Sequence, residues 1–229
     1  MTRLKDSDEI VAPGDVIAED EDVSVDSGAY EENSKIISKY LGTVMYSGNS
    51  VMVRPMSGRY IPEEGDTVIG EVSRVSYSRW SVDLGSPYEG NLNIADATDE
   101  YVDLDEDDLT DFYDVGDAVV VKVKGVTKSM DVDLTMTDKR CKKLEGGRIV
   151  EIAPSKVPRV IGKRGTMVKQ INQATNCNII VGQNGRIWID GEKASLAARA
   201  VKKVEEDDHK DGLTDEMEEW LEEQKEGDQ

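Results

Sequence analysis

Apolar and polar residues alternate most regularly at Asp131-Val132-Asp133-Leu134-Thr135-Met136, with the period of two that a half-buried β-strand requires. Shorter versions of this pattern recur through the first 146 residues, punctuated by Gly and Pro. Ile10-Val11 precede a Pro13-Gly14-Asp15 turn that Val16 and Ile17 follow. The runs Gly42-Thr43-Val44-Met45 and Ser50-Val51-Met52-Val53 then lead to a break between Pro62 and Gly65, which predicts a small β-domain over residues 1–64. A second block opens at Gly65-Asp66 with Val68, Ile69, Val72 and Val75, and continues through Trp80 to Leu84, Asn91 to Ile94, Ala118 to Val126 and Asp131 to Met136. Five strands in residues 65–137, with a polar connection between the third and fourth, fit a five-stranded OB barrel. Residues 138–146 read as a linker.

The period changes after Gly147. Arg148 to Ile152 reads as a strand, Ser155 to Val160 as a short helix and Thr166 to Thr175 as a second helix with Met167, Val168 and Ile171 on one side. Cys177 to Val181 and Arg186 to Asp190 read as strands joined by Gly182-Gln183-Asn184-Gly185. A last helix begins near Glu192 and offers Ala194, Leu196, Ala197, Ala200, Val201 and Val204 to a core. The expected class is therefore multidomain, mainly β plus α+β, and the third domain occupies residues 147–205.

Charge divides along the same boundaries. The 229 residues carry a net −20, yet residues 147–204 hold eleven Lys and Arg against three Asp and Glu, a net +8. Residues 1–146 hold 15 basic and 32 acidic side chains, and residues 205–229 hold two and thirteen. Affinity for a polyanion comes largely from cations that displace counterions, so any grip on nucleic acid is expected within residues 147–204. The acidity elsewhere suits solvation in a salty cytoplasm.

At 38% apolar residues the cores are modest, and no apolar run approaches the ~20 residues of a membrane span. No leader is visible at the N-terminus, so a cytoplasmic protein is expected. Cys141 and Cys177 lie far apart in sequence with one distant His209, which gives no zinc spacing, and neither a metal nor a cofactor is expected. The acidic run Asp103, Asp105, Glu106, Asp107 and Asp108 reads as a solvated loop, and no nucleophile and base can be paired. The tail, residues 206–229, reads by composition as disordered, with a short amphipathic helix as the alternative because Leu213, Met217, Trp220 and Leu221 fall at i, i+4, i+7 and i+8.

The candidate chemistry lies in Gly162-Lys163-Arg164-Gly165, between Val160-Ile161 and a helix start. Two glycines permit a sharp turn and close approach of a phosphodiester, helix-start amides face the anion, and Lys163 and Arg164 supply charge. The order of elements around this loop resembles a KH domain of the first topological type. In that resemblance Val160, Ile161, Ile179 and Arg186 line a groove for unstacked bases. Residues 65–137 resemble an S1 domain, an RNA-binding OB barrel, in Gly65-Asp66, Gly70-Glu71-Val72, Val82-Asp83-Leu84 and Gly116-Asp117. Ser78, Ser81 and Asn93 stand where such domains often carry aromatics and a His; Arg74, Arg79, Tyr88 and Lys122 are the candidates for RNA there, and Trp80 is expected in the core.

Together the segments are similar to the RNA-binding cap subunit of the archaeal exosome, the version with S1 and KH domains. Val11-Ala12-Pro13-Gly14-Asp15, Gly58-Arg59-Tyr60-Ile61-Pro62, Ser86-Pro87-Tyr88, Val160 to Gly165 and Val181 to Gly185 with Ile187-Trp188-Ile189 carry that resemblance. It implies a non-catalytic subunit that captures single-stranded RNA, preferentially A-rich 3′ tails. It also implies docking through residues 1–64 on a hexameric ring of phosphorolytic exoribonuclease subunits. Three copies, alone or with a zinc-ribbon sister subunit, would surround the pore. The alternatives are a stand-alone S1/KH transcription or translation factor, and a nuclease with its own active site.

Overall fold

Within residues 1–58, the first of two compact units in the computed structural model, eight short strands form two four-stranded sheets. The structure describes residues 2–7, 9–19, 24–25, 28–98, 100, 102–104, 107–208, 210 and 212–227. One sheet runs β1 (Thr2–Arg3), β3 (Val16–Glu19), β6 (Lys35–Ser38), β5 (Ala29–Glu32); the other runs β2 (Ile10–Val11), β7 (Gly42–Ser47), β8 (Ser50–Pro55), β4 (Ser24–Val25). Val11, Ile17, Ile36, Val44, Val51 and Val53 fill one core between them. The anticipated runs become β2, β3, β7 and β8, whereas β5 and β6 flank a tight turn in which Asn33 and Ser34 both have positive φ.

The second unit starts at Arg59, not at Gly65. The reason is Tyr60, which is buried in the barrel core and donates its hydroxyl hydrogen to Asp66 Oδ2 at 2.7 Å. Burial pushes the Asp66 carboxyl above its ordinary value, against the opposing pull of the Tyr60 and Glu63 hydrogen bonds. The barrel comprises β9 (Thr67–Ser76), β10 (Arg79–Asp83), β11 (Gly90–Asn93), β12 (Ala118–Val126) and β13 (Val132–Thr135). It closes because β13 pairs parallel with β11 and antiparallel with β12, which returns to β9. The interior takes the apolar half of each alternation, Val68 and Val72 from β9, Val119, Val121 and Val123 from β12, and Val132 and Leu134 from β13. Trp80 is fully buried, and its indole N–H bonds Tyr113 O at 2.9 Å and Leu109 O at 3.3 Å, which spares that donor a desolvation cost. The polar connection holds the short helix α1 (Ile94–Ala97).

The expected linker is partly strand. Lys142–Leu144 forms β14, which pairs with β12 outside the barrel ring. Beyond it β15 (Arg148–Glu151), α2 (Val157–Ile161), α3 (Thr166–Thr175), β16 (Asn178–Val181), β17 (Arg186–Asp190) and α4 (Ala194–Glu206) follow in the expected order. The sheet order β15-β17-β16 is antiparallel throughout, and Val160, Met167, Ile171, Ile187, Ile189, Ala197 and Val201 pack one core against it.

Over its described residues the tail takes the alternative form, an amphipathic helix docked on the domain. Leu213–Gly227 forms α5, and Leu213, Met217 and Leu221 are buried in the core shared with α3 and α4, with Trp220 packed beside them. Their i, i+4, i+8 spacing gives one apolar stripe, and burial against preformed helices outweighs the disordering effect of the surrounding carboxylates.

Barrel and α/β domain are joined through the turn at residues 182–185. Gln183 pairs with Thr67 in both directions, N–H to Thr67 O at 2.9 Å and Thr67 N–H to Gln183 Oε1 at 2.7 Å. The Asn184 amide is buried, donates to Ile69 O at 2.7 Å and Leu84 O at 2.9 Å, and accepts from Ile69 N–H at 3.3 Å. A side chain at Gly182 would put its Cβ 2.9 Å from Ile69 N, so the close approach requires glycine there. Ile69, Val120, Leu144 and Trp188 seal the joint with a small apolar cluster.

Candidate nucleic-acid interface

The loop at residues 162–165 joins α2 to α3 in a conformation that its glycines determine. Gly162 has φ +73°, and a Cβ there would stand 2.7 Å from Met167 N. Gly165, with φ +78°, precedes α3, whose first turn receives no side-chain cap. The Gly165 and Thr166 amides are satisfied within the loop, by Gly162 O at 3.1 Å and by Lys163 O, so what the ten-residue helix offers at this end is the positive pole of its dipole. Arg164 adopts φ +58°, a left-handed conformation that costs a non-glycine residue about 1–2 kcal/mol. Such strain at an exposed cation favours a functional reading over a packing one.

Lys163 and Arg164 are exposed, and among the described residues neither forms an ion pair. A third cation joins them. Lys169, one turn into α3, leans back so that its Cε is 3.9 Å from the Cβ position of Gly165. The helical return from i to i+4 is the signal that would have found it. Lys163, Arg164 and Lys169 are thus three exposed cations at or beside the glycine loop.

The other candidates are placed differently. Val160 is fully buried and Ile179 is 8% exposed, and both pack in the core; Ile161 alone of the apolar set keeps a half-exposed side chain. Arg186 is consumed at the domain joint. Its guanidinium donates to Asp83 O at 2.8 Å and Asp83 Oδ2 at 2.6 Å and pairs with Glu151 at 3.3 Å. Burial works against the Asp83 charge, but the Arg186 and Gly85 hydrogen bonds outweigh it and hold the carboxyl below its usual range.

On the barrel, strand register sorts the four candidates. Ser81 opposes Arg74 and Ser76 opposes Arg79, so the two arginines are diagonal neighbours on one outer face, both exposed and unpaired among the described residues. Asn93 stands opposite Arg79 on β11. Tyr77, at the hairpin tip, is 72% exposed. Tyr88 instead packs half-buried against the barrel core. Lys122 opposes Thr67, seven residues along β9 from Arg74 and roughly 20 Å away at strand rise, and pairs with Asp138 at 3.7 Å.

Among the described residues no group of three or more His, Cys, Asp or Glu is placed to hold a metal ion. Of the acidic run, Asp107 and Asp108 accept main-chain N–H bonds from Asp103 and Thr110; Asp105, Glu106 and His209 lie outside the described residues. Among the described residues no helix is long and apolar enough to cross a membrane.

Comparison with known proteins agrees with both domain readings. Residues 147–195 match the KH domain family, and residues 59–125 match the family described as RRP4, S1 domain. The chain is 44% identical over 212 residues to exosome complex component Rrp4 of Pyrococcus abyssi, covering 90% of this chain and 80% of that one. It is 38% identical over 223 residues to the same component of Methanothermus fervidus, with 96% and 98% covered. The crystal structure of an exosome complex RNA-binding protein superposes with TM-score 0.69 at 33% identity, spanning 75% of this chain and all of that one. With an S1-type barrel, a KH domain and this identity over nearly its whole length, the chain belongs to the archaeal Rrp4 family of exosome complex components.

Proposed function

We propose that this chain is a non-catalytic, cytoplasmic RNA-binding subunit that captures single-stranded RNA, A-rich 3′ tails preferentially, and delivers it to a hexameric ring of phosphorolytic exoribonuclease subunits. The observation that carries the reading is the cradle of Lys163, Arg164 and Lys169 around a glycine loop at an uncapped helix start, in a chain of net −20. Flexible cations beside glycines that admit a phosphodiester grip it without a fixed base sequence, which suits a subunit that passes strands onward. Arg74 and Arg79, with Asn93 beside them, give the barrel a second and weaker contact. Residues 1–58 dock on the ring, where copies of this chain, alone or with the zinc-ribbon sister subunit, surround its entrance.

The test is fluorescence anisotropy with single-stranded oligoribonucleotides, on the chain alone and assembled with ring subunits. Lys163→Asp combined with Arg164→Asp is expected to weaken binding at least about tenfold while circular dichroism stays unchanged, because two attractive charges become repulsive. Wild-type affinity in that variant overturns the assignment of the loop. Phosphate-dependent degradation by the chain alone would overturn the non-catalytic reading.

A further inference from the structure

The anionic C-terminal segment lies along both helices that carry the glycine loop. We infer that it is an intramolecular competitor of RNA, its carboxylates lowering the affinity of the loop for phosphodiester strands; this rests on the RNA-binding reading above. Lys156, at the entrance to α2, is ion-paired with Asp208, and Arg159 within α2 donates to the main-chain oxygen of Lys210. Two of the eleven cations of residues 147–204, both shortly before Gly162, are thus already occupied. On α3, Gln170 Nε2 donates to Thr214 O at 3.1 Å, and Gln170, Gln173 and Ala174 face Glu218, Leu221 and Glu222 across a small cavity. Gln173 is one turn beyond Lys169 on the same helix face, so Glu218 and Glu222 lie on the side of Lys169 away from Gly165 and act on the loop through space, not by contact.

The charge balance has the same sense. Residues 147–204 carry +8 and residues 205–229 carry −11, so docking the tail changes the domain from +8 to 8 − 11 = −3. The Debye length is about 8 Å at physiological salt and about 30 Å at 0.01 M, so the α5 carboxylates act on the loop chiefly at low salt.

Docking itself does not need those charges. Leu213, Met217 and Leu221 supply the buried face, while Glu218, Glu219, Glu222 and Glu223 are exposed and form no ion pair among the described residues. Their abundance therefore calls for a role other than attachment. A moderated grip lets a strand advance instead of stalling on the cradle.

The test uses the full chain with Glu218, Glu219, Glu222 and Glu223 each changed to Gln, which keeps the apolar face. Affinity for a single-stranded oligoribonucleotide is expected to rise about three- to tenfold at low salt, and the gain to shrink at high salt. If the quadruple variant loses thermal stability, Asp208→Asn gives the same readout by releasing Lys156. Unchanged low-salt affinity in a stably folded variant overturns the inference. Absence of RNA binding by wild type and variants alike overturns the RNA-binding reading itself.

Discussion

Arg186 and Lys169 mark what single residues disclose in sequence. Both are cations near the loop in primary structure or in the expected groove, and their fates are opposite. Arg186 is neutralised by Asp83, a partner 103 positions away that no local pattern announces. Lys169 forms no ion pair among the described residues and rests over Gly165, a placement that follows from helical geometry alone. Gly162, Lys163, Arg164 and Gly165 were legible because the turn they make is a local matter of φ and charge. Val160 and Ile179 were not, since an apolar residue beside a loop can face either core or groove until packing decides. Lys169→Ala is expected to weaken single-stranded RNA binding about two- to fivefold and to lower the salt slope by about 1, as loss of one phosphate contact does. An unaltered slope in a salt titration would remove Lys169 from the cradle.

At the level of elements, strands with clean alternation and helices with a full apolar stripe were readable, and short or charge-dominated pieces were not. β14 is three residues long and owes its form to the exposed edge of β12. The stripe of α5 was visible, but composition argued against it; only the waiting faces of α3 and α4 settle the matter. The turn at 182–185 stood out in sequence without a role, because its partners Thr67, Ile69 and Leu84 sit in another domain. Asn184→Ala would strand two carbonyls and one amide at a buried site, an expected cost of about 3 kcal/mol. Differential scanning calorimetry should then show the barrel and KH domain melting apart. A single transition at the wild-type temperature would mean that the apolar cluster around Trp188 holds the joint unaided.

For the whole molecule, the two compact units carry separate cores, and Tyr60 assigns the boundary to Gly58. Residues 59–229 produced alone are therefore expected to fold and to bind single-stranded RNA within about twofold of the full chain, as independent units do. Loss of affinity on removing residues 1–58 would show that the first unit contributes to the grip. The barrel and KH domain, by contrast, exchange hydrogen bonds across Gln183 and Asn184 as neighbouring strands do. This KH domain is therefore no free cassette: an incoming module without a Gly-Gln-Asn-Gly turn would forgo the bonds to Thr67, Ile69 and Leu84 and swivel on the barrel by its tether.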